Sequence, residues 1–152
     1  FSVSGNTKQL AERTAKAVGA DLYEIKPAEP YTSGDLNYND ESTRATVEQK
    51  NDKARPKLAD TNADIASYKT VILVYPIWWG QAPRIMDTFV ESYDFTGKNV
   101  TAMCTSGSSD IGSSDAYLQK LANNKGNWKS GKRFEKQVSE AEISSWFKGL
   151  GF

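Results

Sequence analysis

The chain has 152 residues, in which 19 lysines and arginines balance 19 aspartates and glutamates, with no histidine and a single cysteine. The balanced charge argues against a nucleic-acid-binding protein, which would carry a basic excess, so we expect no nucleic-acid partner. The lack of histidine excludes Ser-His-Asp and Cys-His catalysis and imidazole metal sites, and one cysteine excludes an internal disulfide.

The N-terminal part of the chain is predicted to begin inside a strand. Residues 1–7 (FSVSGNT) are typical of the end of a strand followed by a loop that starts a helix. A buried strand normally has several more apolar residues before such a loop. We therefore expect a first strand truncated before Phe1, which leaves open a targeting segment further upstream. A helix is predicted over residues 8–18, and polar–apolar alternation over residues 21–26 predicts a strand near a sheet edge.

The middle of the chain contains a long polar insertion, residues 27–69, followed by its most apolar segment. A structureless loop of that length is unusual, so we expect a weak helix over residues 40–51. Residues 70–75 (TVILVY) form a continuous apolar run typical of a central parallel strand that is covered on both faces. Pro83 is then well placed as the first residue of a helix that extends to Glu91.

The C-terminal part of the chain continues the alternation of strands and helices. Strands are predicted over residues 99–105 and 128–134, with a helix over residues 114–123 between them. The last helix has the clearest start, because Ser139 and Glu142 have the spacing of a capping box.

The alternation of strands and helices predicts an α/β fold with a parallel sheet and helices on both faces. A chain of this length suits one domain, so we predict a single domain over residues 1–152. No stretch approaches the roughly 20 apolar residues of a membrane-spanning helix, so we expect no transmembrane segment and a cytoplasmic location. Ligands of such sheets bind at the carboxyl ends of the strands, which makes the loops after strands the candidate site.

Three of these loops have unusual compositions. Residues 2–7 combine hydroxyl groups, a glycine and a helix N-terminus, which indicates either a phosphate cradle or an ordinary helix cap. Residues 76–80 (PIWWG) place two tryptophans just beyond a buried strand, where either a flat aromatic ligand or neighbouring loops would cover them. Residues 105–114 can offer backbone N–H groups and hydroxyls to the polar edge of a ring, or form a flexible surface loop.

Together, these loops and the order of elements resemble the flavodoxin family over nearly the whole chain, with Ser4-Gly5-Asn6-Thr7 similar to the family's phosphate loop. The resemblance implies a doubly wound, five-stranded parallel sheet in the order 2-1-3-4-5, FMN as the cofactor and no catalytic residue. The acidic residues are scattered along the chain, so we expect no metal site. By similarity, the FMN phosphate is expected to contact Ser2, Ser4, Gly5, Asn6 and Thr7. The isoalloxazine ring is expected to contact Pro76, Ile77, Trp78, Trp79 and Gly80, and its pyrimidine edge Ser106, Gly107 and Gly112.

Two features depart from the family pattern. Electron-carrying flavodoxins are usually strongly acidic, whereas this chain is neutral, which weakens the case for electrostatic steering onto basic redox partners. Many flavodoxins also place an aromatic residue in the third loop, where this chain has none before Tyr117. Tyr31 or Tyr38 of the insertion would have to take that role, and the insertion itself resembles one branch of the family.

The resemblance implies an electron-transfer flavoprotein whose partner is a redox protein or a small-molecule electron acceptor. The alternative on the same fold is an NAD(P)H-dependent reductase of quinones or nitro compounds, which the neutral charge and the insertion favour. A third interpretation is a module without cofactor that binds a protein. The fold alone supports none of these, because it hosts many functions.

Overall fold

A computed structural model describes all residues of the chain, 1–152, and its centre is a parallel β-sheet. The strands are β1 (Thr70–Pro76), β2 (Asn99–Thr105), β3 (Asn127–Trp128) and β4 (Lys132–Arg133). Strand β1 pairs with one edge of β2, and β3 and β4 both pair with the other edge. The helices are α1 (Asn6–Val18), α2 (Arg44–Lys50), α3 (Arg84–Ser92), α4 (Ser114–Leu121) and α5 (Glu140–Gly149), with 3₁₀ turns at Gly34–Leu36 and Ile65–Ser67. None of the helices combines the length and the apolar character that a bilayer-spanning helix needs.

Helices cover both faces of the sheet. On one face, Leu10 of α1 and Ile143 of α5 pack with Met103 of β2 in a buried cluster. Successive side chains of a strand point to opposite faces, so alternate residues of β1 contribute to the two sides. The larger core lies on the second face and joins α3 and α4 to the long strands through Val71, Leu73, Tyr75, Ile85, Phe89, Val100 and Leu118. The predicted α/β fold with a parallel sheet is therefore confirmed.

The sheet has four strands, so the predicted count of five in the order 2-1-3-4-5 does not match the structure. Residues 21–26, predicted as an edge strand, pair with no strand of the sheet, and Leu22 and Tyr23 remain 53% and 42% exposed. The chain just beyond them is bridged within the insertion instead, through an isolated antiparallel bridge between Pro27 and Leu58. Alternation gives a segment one apolar face, but a strand also needs a neighbour that completes its hydrogen bonds.

The predicted last strand, residues 128–134, is broken into β3 and β4. Its pairing with β2 slips by one residue between these two pieces, which marks a β-bulge. Gly131 lies in the bulge because the sheet leaves no room for a side chain there: a Cβ atom would lie 2.6 Å from the carbonyl oxygen of Ala102. The Gly131 N–H donates to Asp115 Oδ2 at 2.7 Å, so the amide is satisfied outside the sheet ladder.

The insertion contains α2, which is shorter than the helix predicted over residues 40–51. The residues before it form local turns, in which Asp40 Oδ1 accepts the N–H of Ser42 at 2.9 Å. Such side-chain bonds compete with helix formation and delay the helix start to Arg44. The buried face of α2 carries Ala45, Thr46 and Gln49.

Candidate ligand-binding site

Several loops meet around one cavity at the carboxyl ends of β1 and β2. Its volume is about 440 Å³, within the range of roughly 300–1,000 Å³ typical of small-molecule sites. Its walls come from five parts of the chain: Val3, Ser4, Asn6 and Thr7; Leu36 and Tyr38; Pro76, Ile77 and Trp78; Thr105, Ser106 and Gly107; and Phe134, Glu135, Lys136 and Gln137. The structure thus brings parts of all three predicted loops to the same space.

The loop before α1 leaves backbone donors free. Helix α1 has no side-chain cap, and its first hydrogen bond runs from Gln9 N–H to Gly5 O at 3.0 Å. The amides of Asn6, Thr7 and Lys8 precede that bond, at the end where the helix dipole adds partial positive charge. Gly5 has φ 93°, a conformation that favours glycine, and no atom lies within 4 Å of where its Cβ would be. These features form the donor set of an anion site at a helix N-terminus.

Hydrogen bonds fix this first loop to both long strands. The hydroxyls of Thr7 and Thr105 lie 2.7 Å apart, and both residues are buried. The backbone nitrogen of Phe1 donates to the carbonyl oxygen of Val74 in β1 at 2.9 Å. The start of α1 is therefore held at the carboxyl edge of the sheet, beside the end of β2.

The two adjacent tryptophans occupy different environments. Trp78 is 4% exposed and packs edge to face against Phe1 and Tyr31, with ring centroids 5.6 and 5.2 Å apart. Trp79 is half-buried, and its ring centroid lies 4.4 Å from that of Tyr38, with the planes tilted by 37°. Trp78 is therefore part of the core wall of the cavity, whereas Trp79 pairs with an insertion residue that lines the cavity.

The third loop contributes only its first residues to the cavity. Ser106 and Gly107 lie in the wall, and Ser106 Oγ donates to the carbonyl oxygen of Ser109. Gly112 lies beside the second loop, where a Cβ atom would be 3.9 Å from the carbonyl oxygen of Gly80. The far end of the third loop therefore supports residues 76–80, the tryptophan loop, and does not face the cavity.

The predicted site residues fall into two groups. Those that line the cavity are Ser4, Asn6, Thr7, Pro76, Ile77, Trp78, Ser106 and Gly107. Those that lie behind or beside the wall are Ser2, Gly5, Trp79, Gly80 and Gly112. Ser2 still shapes the first loop, because its Oγ accepts the N–H of Gly5 at 3.2 Å.

A fourth loop, residues 134–137 (FEKQ), completes the cavity and was missed by the sequence reasoning. It reaches the first loop because α1 and α5 pack side by side. Arg13 Nη1 donates to Val138 O at 3.1 Å, and Ser144 Oγ donates to Ala17 O at 2.8 Å. The sequence could have indicated this loop, because residues 134–137 follow the last predicted strand just as the other three loops follow earlier strands.

The chemical groups of the cavity favour binding over covalent chemistry. Cys104 at the end of β2 is fully buried, and burial raises the pKa of its thiol to about 12, so the nucleophilic thiolate is scarce near neutral pH. No cluster of three or more Cys, Asp or Glu side chains could hold a metal ion. The cavity offers free amides, hydroxyls, an aromatic rim and one cation, Lys136.

Sequence and structure comparisons agree on the relatives of this chain. A family profile described as Flavodoxin matches residues 1–150. A protein from Bacteroides eggerthii DSM 20697 classed as a flavoprotein is 41% identical, with a TM-score of 0.94 over 100% of this chain and 94% of that one. A second, from Bacteroides uniformis ATCC 8492, is 40% identical, with a TM-score of 0.90 over 97% and 94% of the two chains.

A more distant structure has the same fold. The flavoprotein from Lactobacillus acidophilus NCFM, solved in complex with FMN, is 20% identical, with a TM-score of 0.69 over 96% of this chain and 93% of that one. No functionally curated protein matches the chain. Because the family profile covers residues 1–150, the chain belongs to the flavodoxin family.

Proposed function

We propose that this chain binds one FMN in the cavity and transfers electrons through it. The observation that carries the proposal is that free amides at the start of α1 share one cavity with the aromatic side chains of Trp78 and Tyr38. FMN has a phosphate at one end and a flat ring at the other, so it needs an anion site and an aromatic surface together. The complex of the Lactobacillus acidophilus flavoprotein with FMN supports the choice of ligand.

The phosphate end is assigned to the loop before α1. Ser4, Asn6 and Thr7 line the cavity there, while Ser2 and Gly5 set the shape of the loop. Each favourable contact between an anion and a helix N-terminus typically contributes about 0.3–1 kcal/mol. The open side of Gly5 leaves space for a phosphate oxygen to approach the backbone.

The ring end is assigned to residues 76–80, with Ser106, Gly107 and Gly112 near the polar edge. Tyr38 already packs on the ring of Trp79, so a flavin ring that stacks on Trp79 must share that space with Tyr38. Tyr38 then takes the role of the second aromatic residue that the third loop lacks. Tyr31 does not, because it is buried against Trp78.

FMN, when bound, supplies the redox chemistry, and the residues of this chain bind and orient it and limit access of water to the ring. The electron acceptor is a redox protein or a small molecule. Because the chain carries no net charge, we expect the rate of association with a protein partner to depend only weakly on salt.

The test is the visible absorption spectrum of the purified protein before and after addition of FMN. We expect the bands of an oxidised flavin, quenching of tryptophan fluorescence on titration, and release of FMN when the protein unfolds. Asn6→Asp is the matched variant, because it adds a negative charge at the phosphate site and should weaken FMN far more than riboflavin. A protein that shows no flavin bands and no quenching contradicts the proposal and favours a module without cofactor.

A quinone or nitro-compound reductase is the second candidate, and one observation favours it. Leu36 and Tyr38 of the insertion line the cavity next to the assigned ring site, where they would control access of a substrate. Steady-state oxidation of NADPH by the FMN-loaded protein decides between the two. Rapid turnover with a quinone supports the reductase, and no turnover with any acceptor supports the electron carrier.

A further inference from the structure

Gln49 of α2 is a buried side chain of the insertion that hydrogen-bonds the backbone of the tryptophan loop. Gln49 is 8% exposed, and its Nε2 donates to Trp78 O at 2.9 Å and to Ala82 O at 3.2 Å. Its Oε1 accepts the N–H of Arg84 at 3.2 Å. Carbonyl oxygens can only accept hydrogen bonds, so the amide nitrogen must face them, and the orientation of this side chain is fixed by chemistry.

The loop that Gln49 holds has a strained backbone. Trp78 N–H donates to Gln81 O at 2.8 Å and Gln81 N–H donates to Trp78 O at 3.1 Å, which closes a two-residue turn. The residues inside it, Trp79 and Gly80, have φ 49° and 74°, the pattern of a type I′ turn. That turn favours Asn, Asp or Gly at its first central position, so a bulky tryptophan there is an outlier.

The contacts of Gln49 bracket this turn. One accepting carbonyl belongs to the residue before the turn, the other to a residue just after it, and the third contact is with the start of α3. Arg84 of α3 also bonds back to α2, because its guanidinium donates to Glu48 O at 3.3 Å and to Gln49 O at 2.9 Å. Helix α2, the tryptophan loop and α3 therefore form one hydrogen-bonded unit. Strained residues persist where their surroundings over-determine them, and they cluster at ligand sites.

We propose that Gln49 is a positioning residue, which holds residues 78–82 in the strained turn and thereby sets how tightly and at what potential the chain holds a flavin ring. The inference rests on the FMN binding proposed above and deepens it, because it gives the insertion a defined action on the ring site. A role confined to fastening the insertion would lower stability without changing the turn or the flavin.

The first experiment uses the protein without flavin. Gln49→Met keeps the side-chain length and removes all three hydrogen bonds, and Gln49→Glu keeps the shape but replaces the donor by a carboxylate. Gln119→Glu on α4 is the control for added charge. We expect hydrogen exchange at the amides of Trp78 and Gln81 to accelerate by about tenfold or more relative to the amides of β2. Exchange that is unchanged, or that accelerates equally in β2, overturns the inference.

The second experiment uses FMN and riboflavin, which share the ring and differ in the phosphate. We expect Gln49→Met and Gln49→Glu to weaken both flavins by the same factor, about tenfold, because the ring site changes and the phosphate site does not. A tenfold change in the ratio of oxidised to reduced flavin affinity shifts a two-electron midpoint potential by about 30 mV. We expect a shift of that size in both variants and none in Gln119→Glu.

The outcomes separate the inference from the proposed function. The inference is overturned if both Gln49 variants keep the flavin affinity and the midpoint potential of the wild type. It is also overturned if the variants weaken binding of FMN but not of riboflavin. If the wild-type chain binds neither flavin, the proposed function fails, while the exchange measurement still decides whether Gln49 holds the turn.

Discussion

The loop before α1 and the tryptophan loop lie at the same cavity, but they differ in whether their backbone polar groups are hydrogen-bonded by the rest of the protein. In the first, the amides of Asn6, Thr7 and Lys8 precede the first hydrogen bond of the helix and have no side-chain cap. In the second, the carbonyl groups on both sides of the turn are bonded to Gln49. One loop keeps its donors available, and the other has its shape fixed from a distant part of the chain.

This difference matches what each half of the proposed ligand, FMN, would require. A phosphate is held by several N–H groups, and these must be left unpaired by the protein. A flat ring needs a rigid aromatic surface, and rigidity in a loop comes from hydrogen bonds and packing supplied by neighbours. The support of the tryptophan loop extends further, to the buried pair of Arg84 and Asp87, whose side chains approach to 3.1 Å.

Substitution of Arg84 should disturb the support of the tryptophan loop more than any other change considered below. Its guanidinium bonds Asp87 and the last carbonyls of α2, so Arg84→Met leaves a fully buried carboxylate with a weaker partner, Arg55 at 3.6 Å. We expect the free energy of unfolding at neutral pH to fall by about 3–5 kcal/mol, measured by urea titration. The first loop shares none of these bonds.

The control for this prediction is an exposed ion pair. Lys125 lies 3.6 Å from Asp94, both half or more exposed, and Lys125→Met should change the free energy of unfolding by less than about 1 kcal/mol. Replacing both buried partners, Arg84→Met with Asp87→Leu, should recover much of the loss, because no unpaired charge is left. An Arg84→Met variant as stable as Lys125→Met would show that the buried pair does not support the loop.

A change of pH should affect the support of the tryptophan loop, which includes Asp87, and not the loop before α1. Burial raises the pKa of the Asp87 carboxyl from 3.8 to about 6, and the hydrogen bond from Arg84 only partly opposes this. Between about pH 4 and 6 the unfolded chain ionises this group while the folded chain keeps it protonated, so the contribution of Asp87 to stability falls as pH rises. The fall amounts to about 3 kcal/mol at most. Backbone amides of the first loop do not titrate.

The measurement is the difference in free energy of unfolding between the wild type and Asp87→Asn across this pH range. Subtraction removes the contributions of the exposed carboxylates, several of which have a lowered pKa and act in the opposite direction, such as Asp60 and Asp94. We expect the wild type to lose stability relative to Asp87→Asn as pH rises. A difference that is flat with pH, or that grows in favour of the wild type, contradicts the assigned direction.

The sequence predicts the first loop better than the second for the same physical reason. Residues 2–7 and α1 are contiguous, so a glycine, hydroxyl groups and a helix start indicate the turn, although the sequence left open whether the amides behind it are capped or free. The strand β2 and the N-cap of α5, where Ser139 Oγ accepts the N–H of Glu142 at 3.1 Å, are also local and were correctly predicted. Elements that depend on residues close together in the chain can therefore be predicted from the sequence.

What the sequence could not show depends on partners far along the chain. The alternation in residues 21–26 predicts a strand, but no strand of the sheet lies beside it. The bulge at Gly131 depends on the close approach of Ala102, and the role of Gln49 depends on carbonyls about thirty positions away. The sequence gives no reason to expect different environments for the two adjacent tryptophans. Only the packing of distant residues places Trp78 in the core and Trp79 beside Tyr38.

A smaller effect tests the shape of the first loop. Gly5 has φ 93° with open space around its Cβ position, so Gly5→Ala should cost only the backbone strain of that conformation, about 1–2 kcal/mol in the free energy of unfolding. Gly107→Ala is the control, because that site is equally open and its φ is not positive. If both variants lose the same stability in urea titrations, the conformation of Gly5 is not the cause.

The smallest expected effect tests the fourth loop. Lys136 lies in the wall of the cavity that Asn6 and Thr7 at the start of α1 also line, so its cation should add to the free amides in attracting a phosphate. We expect Lys136→Gln to weaken FMN binding several-fold, by about 0.3–1 kcal/mol, and to leave riboflavin binding unchanged. The loss should disappear in about 1 M salt, where charges are screened within about 3 Å. Lys129→Gln, an exposed lysine outside the cavity, serves as the control. Equal losses for FMN and riboflavin would mean that Lys136 contacts the ring end, and the assignment of phosphate and ring to the two loops would then have to be reversed.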